Sequence, residues 1–431
     1  MTDFNYEKAN KFLNSFINYE KKKNVDYTED NYDLKKFKTL LKTFDNPQKK
    51  IKTIHVAGSK GKGSTVEFIK NILITNGYRV GTFTSPHLVD VKERISLNGK
   101  NISKNEFAYY TEMIKNKINK NKMEKKYRTF FELITLLSFL YFNDKNVDFT
   151  IYEVGLGGRL DATNVILPEL SIISLIDYEH TNILGSKIES IAEEKGGIIK
   201  EGVPVVVNKQ RYKVAVEIFN KIAERESSSI FIYGRDFYIK EDTIYFNEKQ
   251  VGKINIKMLG SHQKLNSLTA LYGLKRILPD IDIQKSLNAI NNTVLKGRIQ
   301  KKKLLGRTVI LDVAHTPESV KALFKTIQEE FQNRKIYSVV SYSSGKKIKK
   351  MLEIEKKYNT RIVLTENSSF RSANINEMVG YCNPVDTFKT FEEAFKFTLE
   401  KSSKKDIILI HGSFYLMTDV ERVLNKYGQK L

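Results

Sequence analysis

The strongest constraint on the fold is an alternation of short, β-branched apolar runs with longer helical patterns in the first half of the chain. The runs lie at Thr53–Ala57, Tyr78–Phe83, Asp148–Val154, Leu170–Ile176 and Val203–Val207. Strands that alternate with helices are typical of parallel sheets whose strands are joined by crossover helices. The first half of the chain is therefore predicted to form an α/β domain.

The alternation is interrupted once and then restarts. Residues 229–258 show short, polar-interrupted strands, which predict an antiparallel insertion or an edge region, and a helix is expected over residues 263–277. New apolar runs follow at Thr308–Val313, Lys335–Ser341, Arg361–Thr365 and Asp406–Ile410. We predict two α/β domains: an N-terminal, P-loop ATPase-like domain with a mostly parallel sheet over residues 1–296, and a smaller Rossmann-like domain over residues 297–431.

Composition excludes several classes of protein. The apolar run at Thr129–Phe142 contains Glu132 and is too short to span a bilayer, so it is predicted to be a buried helix. The first residues lack the pattern of a secretory signal, which favours the cytoplasm. Cys382 is the single cysteine, and it is expected to serve packing.

The net charge of +22 raises the question of a nucleic-acid partner. The excess lysines are spread through helical patterns, and the chain carries no signature of a nucleic-acid-binding module. We therefore expect no nucleic-acid partner and no membrane partner. The same positive charge would attract small anionic substrates such as ATP and polycarboxylates.

The clearest local motif is a glycine-rich loop between the first strand and a helical pattern. Its residues are Gly58, Ser59, Lys60, Gly61, Lys62, Gly63 and Ser64. Glycines allow backbone N–H groups to approach phosphate oxygens, the helix N-terminus favours negative charge, and a lysine can reach the terminal phosphates. The loop is predicted to bind ATP phosphates, although its spacing is shorter than that of the usual P-loop pattern.

A phosphate site of this kind requires a divalent cation, and Mg²⁺ prefers a few protein oxygens together with water and phosphate. Glu153 ends an apolar strand, where its carboxylate would face a ligand crevice at the edge of a parallel sheet. Ser85 ends another strand and could supply a hydroxyl, while His180 could supply a nitrogen. Taken alone, each of these residues also fits an ordinary structural role.

Taken together, several segments resemble the folylpolyglutamate/dihydrofolate synthase branch of the Mur ligase family along nearly the whole chain. The matching segments are His55–Ser64, Thr82–His87, Glu93–Ile95, Thr129–Glu132, Glu153–Asn164, Glu194–Lys200, Gly260–Gln263 with Asn266, Gly297–Arg298, Asp312–His315 with Pro317, and Gly412–Leu416. The resemblance implies ATP and Mg²⁺ as cofactors, with a monovalent cation such as K⁺ as a further candidate. It also implies a monomer.

The resemblance implies roles for individual residues. Those matching catalytic positions are Lys62, His180 and Lys195. The metal ligands would be Ser85, Glu153, His180 and Lys195, the last after carbamylation. Outside the glycine-rich loop, ATP would contact Asn266, Arg298, Asp312 and His315. The pterin would contact Thr129, Phe131, Asp161 and Ala162, with Arg94 nearby. An aromatic face at Phe131 suits ring stacking, and a carboxylate at Asp161 suits the ring N–H donors.

The expected reaction joins L-glutamate to dihydropteroate, to folate polyglutamates or to both, through an acyl phosphate. A Mur-type ligase acting on another carboxylate and a non-catalytic nucleotide-binding paralogue are the alternatives. Some positions depart from the family pattern: Lys60 stands in place of Asn, Glu179 in place of Asp, and Asp177 at a position that is often Gly. Val313, Thr316 and the run Gly345–Lys347 depart from it in the second domain. These departures leave the choice of substrate open.

Overall fold

The structure is a computed structural model that describes residues 4–19, 28, 32–120, 128–358, 360–382 and 385–428. The chain forms two compact units. Unit 1 comprises Met1–His87, Val91–Asn255 and His262–Thr293, and unit 2 comprises Leu88–Asp90, Ile256–Ser261 and Val294–Leu431. Among the described residues, no helix is both long and apolar enough to cross a bilayer.

Unit 1 is built on a mostly parallel sheet, as the alternating apolar runs predicted. In the described part of the chain its strands are β1 Thr53–Ala57, β2 Val80–Phe83, β3 Ile95–Leu97, β4 Lys100–Asn101, β5 Phe149–Glu153, β6 Leu170–Ile173, β7 Val205–Val207 and β8 Ile230–Ile232. Their order is β4-β3-β2-β5-β1-β6-β7-β8; the β2–β3 and β3–β4 pairs are antiparallel, and the other pairs are parallel. This order places β1, which precedes the glycine-rich loop, between β5 and β6.

A small antiparallel sheet follows, formed by β9 Phe237–Lys240, β10 Thr243–Phe246 and β11 Lys249–Lys253. The expected antiparallel region is confirmed for these strands. The alternative of an edge region applies to β8, which pairs parallel with β7 at the edge of the large sheet. β8 has the apolar sequence Ile-Phe-Ile, but its residues are only half-buried because the strand lies at the edge of the sheet.

The helices of unit 1 cover the sheet. They are α1 Tyr6–Asn14, α2 Leu34–Lys42, α3 Lys62–Thr75, α4 Lys104–Lys120, α5 Phe130–Asp144, α6 Thr181–Leu184, α7 Ile188–Gly196, α8 Lys213–Arg225, α9 Ser261–Ile277 and α10 Ile283–Asn292. Short 3₁₀ helices lie at Pro47–Lys49, Val91–Arg94 and Ala162–Val165. The predicted buried helix is confirmed as α5, which begins in a capping box between Thr129 and Glu132.

Unit 2 has the predicted Rossmann-like arrangement. Within the described residues its strands are β12 Gln300–Leu304, β13 Arg307–Leu311, β14 Ile336–Val340, β15 Thr360–Thr365, β16 Asp386–Phe388 and β17 Ile407–His411, in the order β12-β13-β17-β14-β15-β16. Only β12 pairs antiparallel. The helices are α11 Pro317–Glu330, α12 Ile348–Glu355, α13 Ile375–Val379, α14 Phe391–Lys401 and α15 Leu416–Lys426.

Two apolar clusters hold unit 2 together. Side chains from α11, α12 and α13 form one cluster, which also contains Cys382, and side chains from α14 and α15 form the other. The helices therefore pack on both faces of the sheet, and the packing role expected of Cys382 is confirmed.

A buried polar network lies inside the first of these clusters. The Glu355 carboxylate accepts hydrogen bonds from the Tyr342 hydroxyl at 2.6 Å and from the Ser338 hydroxyl at 2.8 Å. His411 Nε2 lies 3.0 Å from Ser338 Oγ and 3.4 Å from Glu355 Oε2. Removing the carboxylate would leave these buried polar groups without their acceptor, which is strongly unfavourable.

We expect Glu355→Ala to reduce the free energy of unfolding of unit 2 by about 3–5 kcal/mol. Glu353 is exposed on the same helix, so Glu353→Ala is the matched control and should change stability by less than about 0.5 kcal/mol. Urea denaturation of both variants measures the difference. Equal stability of the two variants would contradict an energetic role for the network.

Candidate active site

The glycine-rich loop connects β1 to α3 and is shaped by two glycines. Gly58 and Gly61 have φ values of 145° and 92°, which favour glycine. A Cβ at Gly58 would lie 1.9 Å from Ser174 Oγ, and a Cβ at Gly61 would lie 2.7 Å from Asn266 Oδ1. The loop therefore packs too tightly for any side chain at these positions, and it leads directly into the N-terminus of α3, which favours anions.

Two lysines converge on one carbonyl group of this loop. Lys62 Nζ donates to the Gly58 carbonyl at 2.8 Å, and Lys195 Nζ donates to the same oxygen at 3.0 Å. Lys195 is only 2% exposed. Burial, together with the neighbouring charge of Lys62, lowers the pKa of Lys195 to about 7.

Close backbone packing brings Lys195 to the loop. A Cβ at Gly158 would lie 2.6 Å from the Glu194 carbonyl oxygen and 3.0 Å from Lys195 Cα. The Arg159 N–H also donates to the Glu194 carbonyl at 2.8 Å. The turn after β5 can therefore approach α7 only because residue 158 is glycine.

Of the predicted metal ligands, Glu153 and Ser85 lie side by side. Glu153 ends β5 and is 5% exposed, and its Oε2 accepts the Ser85 N–H at 3.2 Å. A Cβ at Gly63 would lie 3.8 Å from both carboxylate oxygens of Glu153, so the carboxylate faces the glycine-rich loop. His180 is exposed, has a left-handed φ of 51° and immediately precedes α6.

This donor set fits a divalent cation that also binds phosphate. In the part of the chain that the structure describes, no three His, Cys, Asp or Glu side chains cluster as a metal site. A carboxylate at Glu153 and a hydroxyl at Ser85 would leave positions for phosphate oxygens and water, as Mg²⁺ prefers. Lys195 could join them only after losing its positive charge.

The departures Lys60 and Glu179 form an ion pair that the sequence did not predict. Lys60 Nζ lies 3.5 Å from Glu179 Oε1. Burial raises the pKa of the Glu179 carboxyl, but the charges of Lys62, Lys60 and Lys195 outweigh this effect and hold the pKa well below its usual range. The third departure, Asp177, pairs with Arg211 at 3.0 Å. The sequence shows that these residues differ from the family pattern, but it does not show which residues they pair with.

The candidate ATP contacts lie in both units. In unit 1, Asn266 on α9 adjoins Gly61, and its Oδ1 accepts a hydrogen bond from Asn208 Nδ2 at 3.0 Å. In unit 2, the buried Asp312 carboxylate accepts the N–H groups of Ile299 at 2.8 Å and Ala314 at 2.7 Å. These bonds tie the turn containing residue 299 to the end of β13.

Two further candidate ATP contacts in unit 2 share an aromatic neighbour. The Arg298 guanidinium lies 5.3 Å from the ring centroid of Phe414, and the His315 ring lies 5.7 Å from the same ring. His315 Nδ1 also lies 2.8 Å from the Val313 carbonyl oxygen. The structure therefore brings Arg298 and His315 together around Phe414.

Three of the candidate pterin residues, Phe131, Asp161 and Ala162, lie in or against the loop after β5. The half-buried Phe131 ring touches Gly155, where a Cβ would lie 2.6 Å from the ring, and it packs 5.7 Å from the ring of Phe83. Ala162 begins the short helix at Ala162–Val165, and its predecessor Asp161 caps that helix. Phe131 and Asp161 thus both contact Gly155.

Asp161 is already strongly hydrogen-bonded. Its carboxylate accepts the N–H groups of Gly155, Leu156 and Thr163 and the Thr163 hydroxyl, at 2.5–3.0 Å. Burial raises the pKa of Asp161, although these hydrogen bonds oppose the rise. Asp161 therefore shapes the loop beside Phe131, a role that the sequence did not predict.

The other two candidate pterin residues also have structural partners. The Thr129 hydroxyl accepts the Glu132 N–H at 3.1 Å and caps α5. Arg94 is 1% exposed, donates from Nε to His87 Nδ1 at 2.9 Å and stacks 5.4 Å from the Phe130 ring. Arg94 thus faces Phe130, the residue that precedes the candidate stacking ring.

Comparison with known proteins gives concordant matches. Residues 56–273 match the Mur ligase middle domain, and residues 297–414 match the Mur ligase glutamate ligase domain. The chain is 32% identical over 415 residues to the dihydrofolate synthase/folylpolyglutamate synthase of Bacillus subtilis, which covers 91% of this chain and 94% of that protein.

Solved structures show the same architecture. A folylpolyglutamate synthase from Thermotoga maritima is 29% identical and superposes with a TM-score of 0.85 over 99% of this chain and 98% of that one. A bifunctional folylpolyglutamate synthase/dihydrofolate synthase from Yersinia pestis, solved with AMPPNP and a manganese ion, is 24% identical with a TM-score of 0.86 over 98% of each chain. The second likeness concerns the fold alone.

Proposed function

This chain belongs to the folylpolyglutamate/dihydrofolate synthase branch of the Mur ligase family, and we propose that it joins L-glutamate to dihydropteroate, to folate polyglutamates or to both in an ATP-dependent reaction. The chain is an amide-forming ligase. We further propose that residues 1–296 act as the ATP- and pterin-binding domain and residues 297–431 as the ligase domain. A ligase for a different carboxylate and a non-catalytic paralogue are not favoured by these relatives.

One observation supports the proposal most strongly. The glycine-rich loop faces the Glu153 carboxylate across Gly63, while Lys62 and Lys195 meet at the Gly58 carbonyl. A lysine, an acidic metal ligand and a helix N-terminus are the groups that neutralise and orient a nucleotide triphosphate.

The reaction needs an activated carboxylate, because a free carboxylate does not acylate an amine in water. We propose that the substrate carboxylate attacks the γ-phosphorus of ATP, which forms an acyl phosphate and releases ADP. The glutamate amine then attacks the acyl carbon, loses a proton, and expels inorganic phosphate. Lys62 would neutralise the transferring phosphoryl group, since both reactants of the first step are anions.

We propose that Ser85, Glu153, His180 and carbamylated Lys195 hold Mg²⁺. The bound cation would neutralise phosphate charge and help to align the phosphoryl group with the attacking oxygen. The remaining ATP contacts are assigned to Gly58–Ser64, Asn266, Arg298, Asp312 and His315, and the pterin contacts to Arg94, Thr129, Phe131, Asp161 and Ala162. A requirement for K⁺, a monomeric state, a cytoplasmic location and the absence of a nucleic-acid partner remain predictions.

The test of function is an assay with dihydropteroate and tetrahydrofolate side by side, each with ATP, Mg²⁺ and L-glutamate. Phosphate release should require the acceptor and glutamate together, and mass spectrometry should detect the glutamyl product. The two acceptors separate dihydrofolate synthesis from polyglutamate extension. Nucleotide binding without turnover of either acceptor would contradict the proposal.

The environment of Lys195 leads to a prediction about its carbamylation. Only a neutral amine attacks CO₂, and the attack forms an N–C bond with loss of one proton. Since the pKa of Lys195 is lowered to about 7, its neutral fraction increases as the pH rises through that value. We expect a carbamate signal in ¹³C NMR with ¹³C-bicarbonate that strengthens from about pH 6 to about pH 8.

Lys195→Arg is the control for this experiment, because arginine keeps the positive charge and is not deprotonated in proteins. The signal should disappear in that variant. A carbamate signal that persists in Lys195→Arg would place the modification on another lysine.

A further inference from the structure

Glu179 lies among the positive charges of the nucleotide site, but the proposed reaction does not use it. Its Oε1 lies 3.5 Å from Lys60 Nζ, and the charges of Lys62 and Lys195 also act on this carboxylate. Glu179 directly precedes His180. It is therefore placed to influence the phosphate-binding groups without belonging to the predicted metal ligands.

The backbone holds the two partners of this ion pair in register. The N–H groups of Ser59 and Lys60 both donate to the Leu175 carbonyl, at 2.9 and 3.0 Å. The Ser59 hydroxyl also donates to the Asp177 carbonyl at 2.8 Å. These hydrogen bonds hold the glycine-rich loop against the segment after β6, which carries Glu179. The backbone therefore positions the Lys60 and Glu179 side chains close to each other.

The second oxygen of the carboxylate lacks a comparable partner. Glu179 Oε2 is buried, and it has no hydrogen-bond partner among the residues that the structure describes. Buried polar atoms are usually hydrogen-bonded, and a carboxylate left partly unsatisfied in this way calls for an explanation. Its electrostatic attraction to the ammonium groups of Lys60 and Lys62 supplies one.

We propose that Glu179 is the resident anion of the phosphate site. It neutralises Lys60 and Lys62 while the site holds no nucleotide, and both lysines turn to the phosphates when nucleotide binds. This inference rests on the proposed function, because it takes the glycine-rich loop as the phosphate site. Glu179 is a positioning residue whose charge competes with the ligand and so favours release of ADP.

Two opposite effects of Glu179→Gln follow. The variant keeps the shape of the side chain but leaves the lysine charges without this anion, so the nucleotide-free protein should become less stable at low salt. The same charges should bind phosphates more tightly because no carboxylate competes for them. A residue that only shaped the loop would instead weaken nucleotide binding when it was altered.

The experiment compares wild type, Glu179→Gln and the control Glu217→Gln, which removes a charge from an exposed position on α8. Calorimetry with Mg-ADP should show about five- to tenfold tighter binding by Glu179→Gln, and no change for the control. Without nucleotide, the melting temperature of Glu179→Gln should be lower than that of the wild type by roughly 2–4 °C, and added salt should remove the difference.

Lys60→Gln completes a double-mutant cycle. Its loss of ADP affinity should be larger in the Glu179→Gln background, where Lys60 is fully available to the phosphates. Weaker or unchanged ADP binding by Glu179→Gln would overturn the inference, and so would an unchanged melting temperature at low salt. Failure of the wild type to bind ADP would instead overturn the proposed function, while the melting temperatures still decide whether Glu179 neutralises the lysines.

Discussion

Lys62→Ala is expected to lower kcat for glutamate ligation by about 10²–10³-fold, which is the effect of removing one group that stabilises transition-state charge. The side chain begins α3 and already points back to the Gly58 carbonyl at 2.8 Å, so it lies at the loop that the phosphates would occupy. Steady-state kinetics at saturating ATP separates this effect from a change in KM.

The matched control is Lys70→Ala on the same helix. Lys70 pairs with Glu67 at 2.5 Å and lies two turns beyond the loop, so its removal should leave kcat nearly unchanged. Thermal unfolding of both variants shows whether either substitution disturbs α3. Wild-type activity in Lys62→Ala would contradict the assignment of the glycine-rich loop to ATP.

Glu153→Gln is expected to lower activity at least about 100-fold at limiting Mg²⁺, because an amide oxygen is a weaker ligand than a carboxylate for a hard cation. The substitution preserves side-chain shape, so the acceptor for the Ser85 N–H at 3.2 Å can be retained. If Glu153 binds the metal, raising the Mg²⁺ concentration should restore part of the activity.

Glu169→Gln provides the control, since Glu169 is exposed and immediately precedes β6. It should respond to Mg²⁺ as the wild type does. A Mg²⁺ titration of Glu153→Gln that runs parallel to the wild-type curve would show that the carboxylate serves packing and not the metal.

Most inner strands of both sheets were predictable because each is a short apolar run bounded by polar, glycine or proline residues. β1, β5 and β6 of unit 1 and β13 and β17 of unit 2 lie within one or two residues of the predicted runs at one or both ends. The strands that were missed include the edge strands β4, β12, whose sequence is mostly lysine, and β16, together with the three-residue strand β3. Edge strands bury less surface and so carry little hydrophobic signal.

The candidate site was predictable to a similar degree. The glycine-rich loop was identified from its glycines and its position between a strand and a helix, and the structure confirms that position. The pairing of Glu153 with Ser85 depends on strands β5 and β2 being neighbours. The role of Asp161 as a fourfold acceptor depends on how its loop turns back, and no residue pattern encodes that turn.

The sequence by itself determined the two α/β sheets, the phosphate-type loop and the family, because these depend on periodicity and on residues close together in the chain. Only the tertiary structure decided which charges meet. Lys60 and Glu179 are far apart in sequence, and so are Lys62 and Lys195, yet each pair shares a partner or a contact in the folded protein. Electrostatic energy depends on distance in space and on burial, and neither quantity can be read from position along the chain.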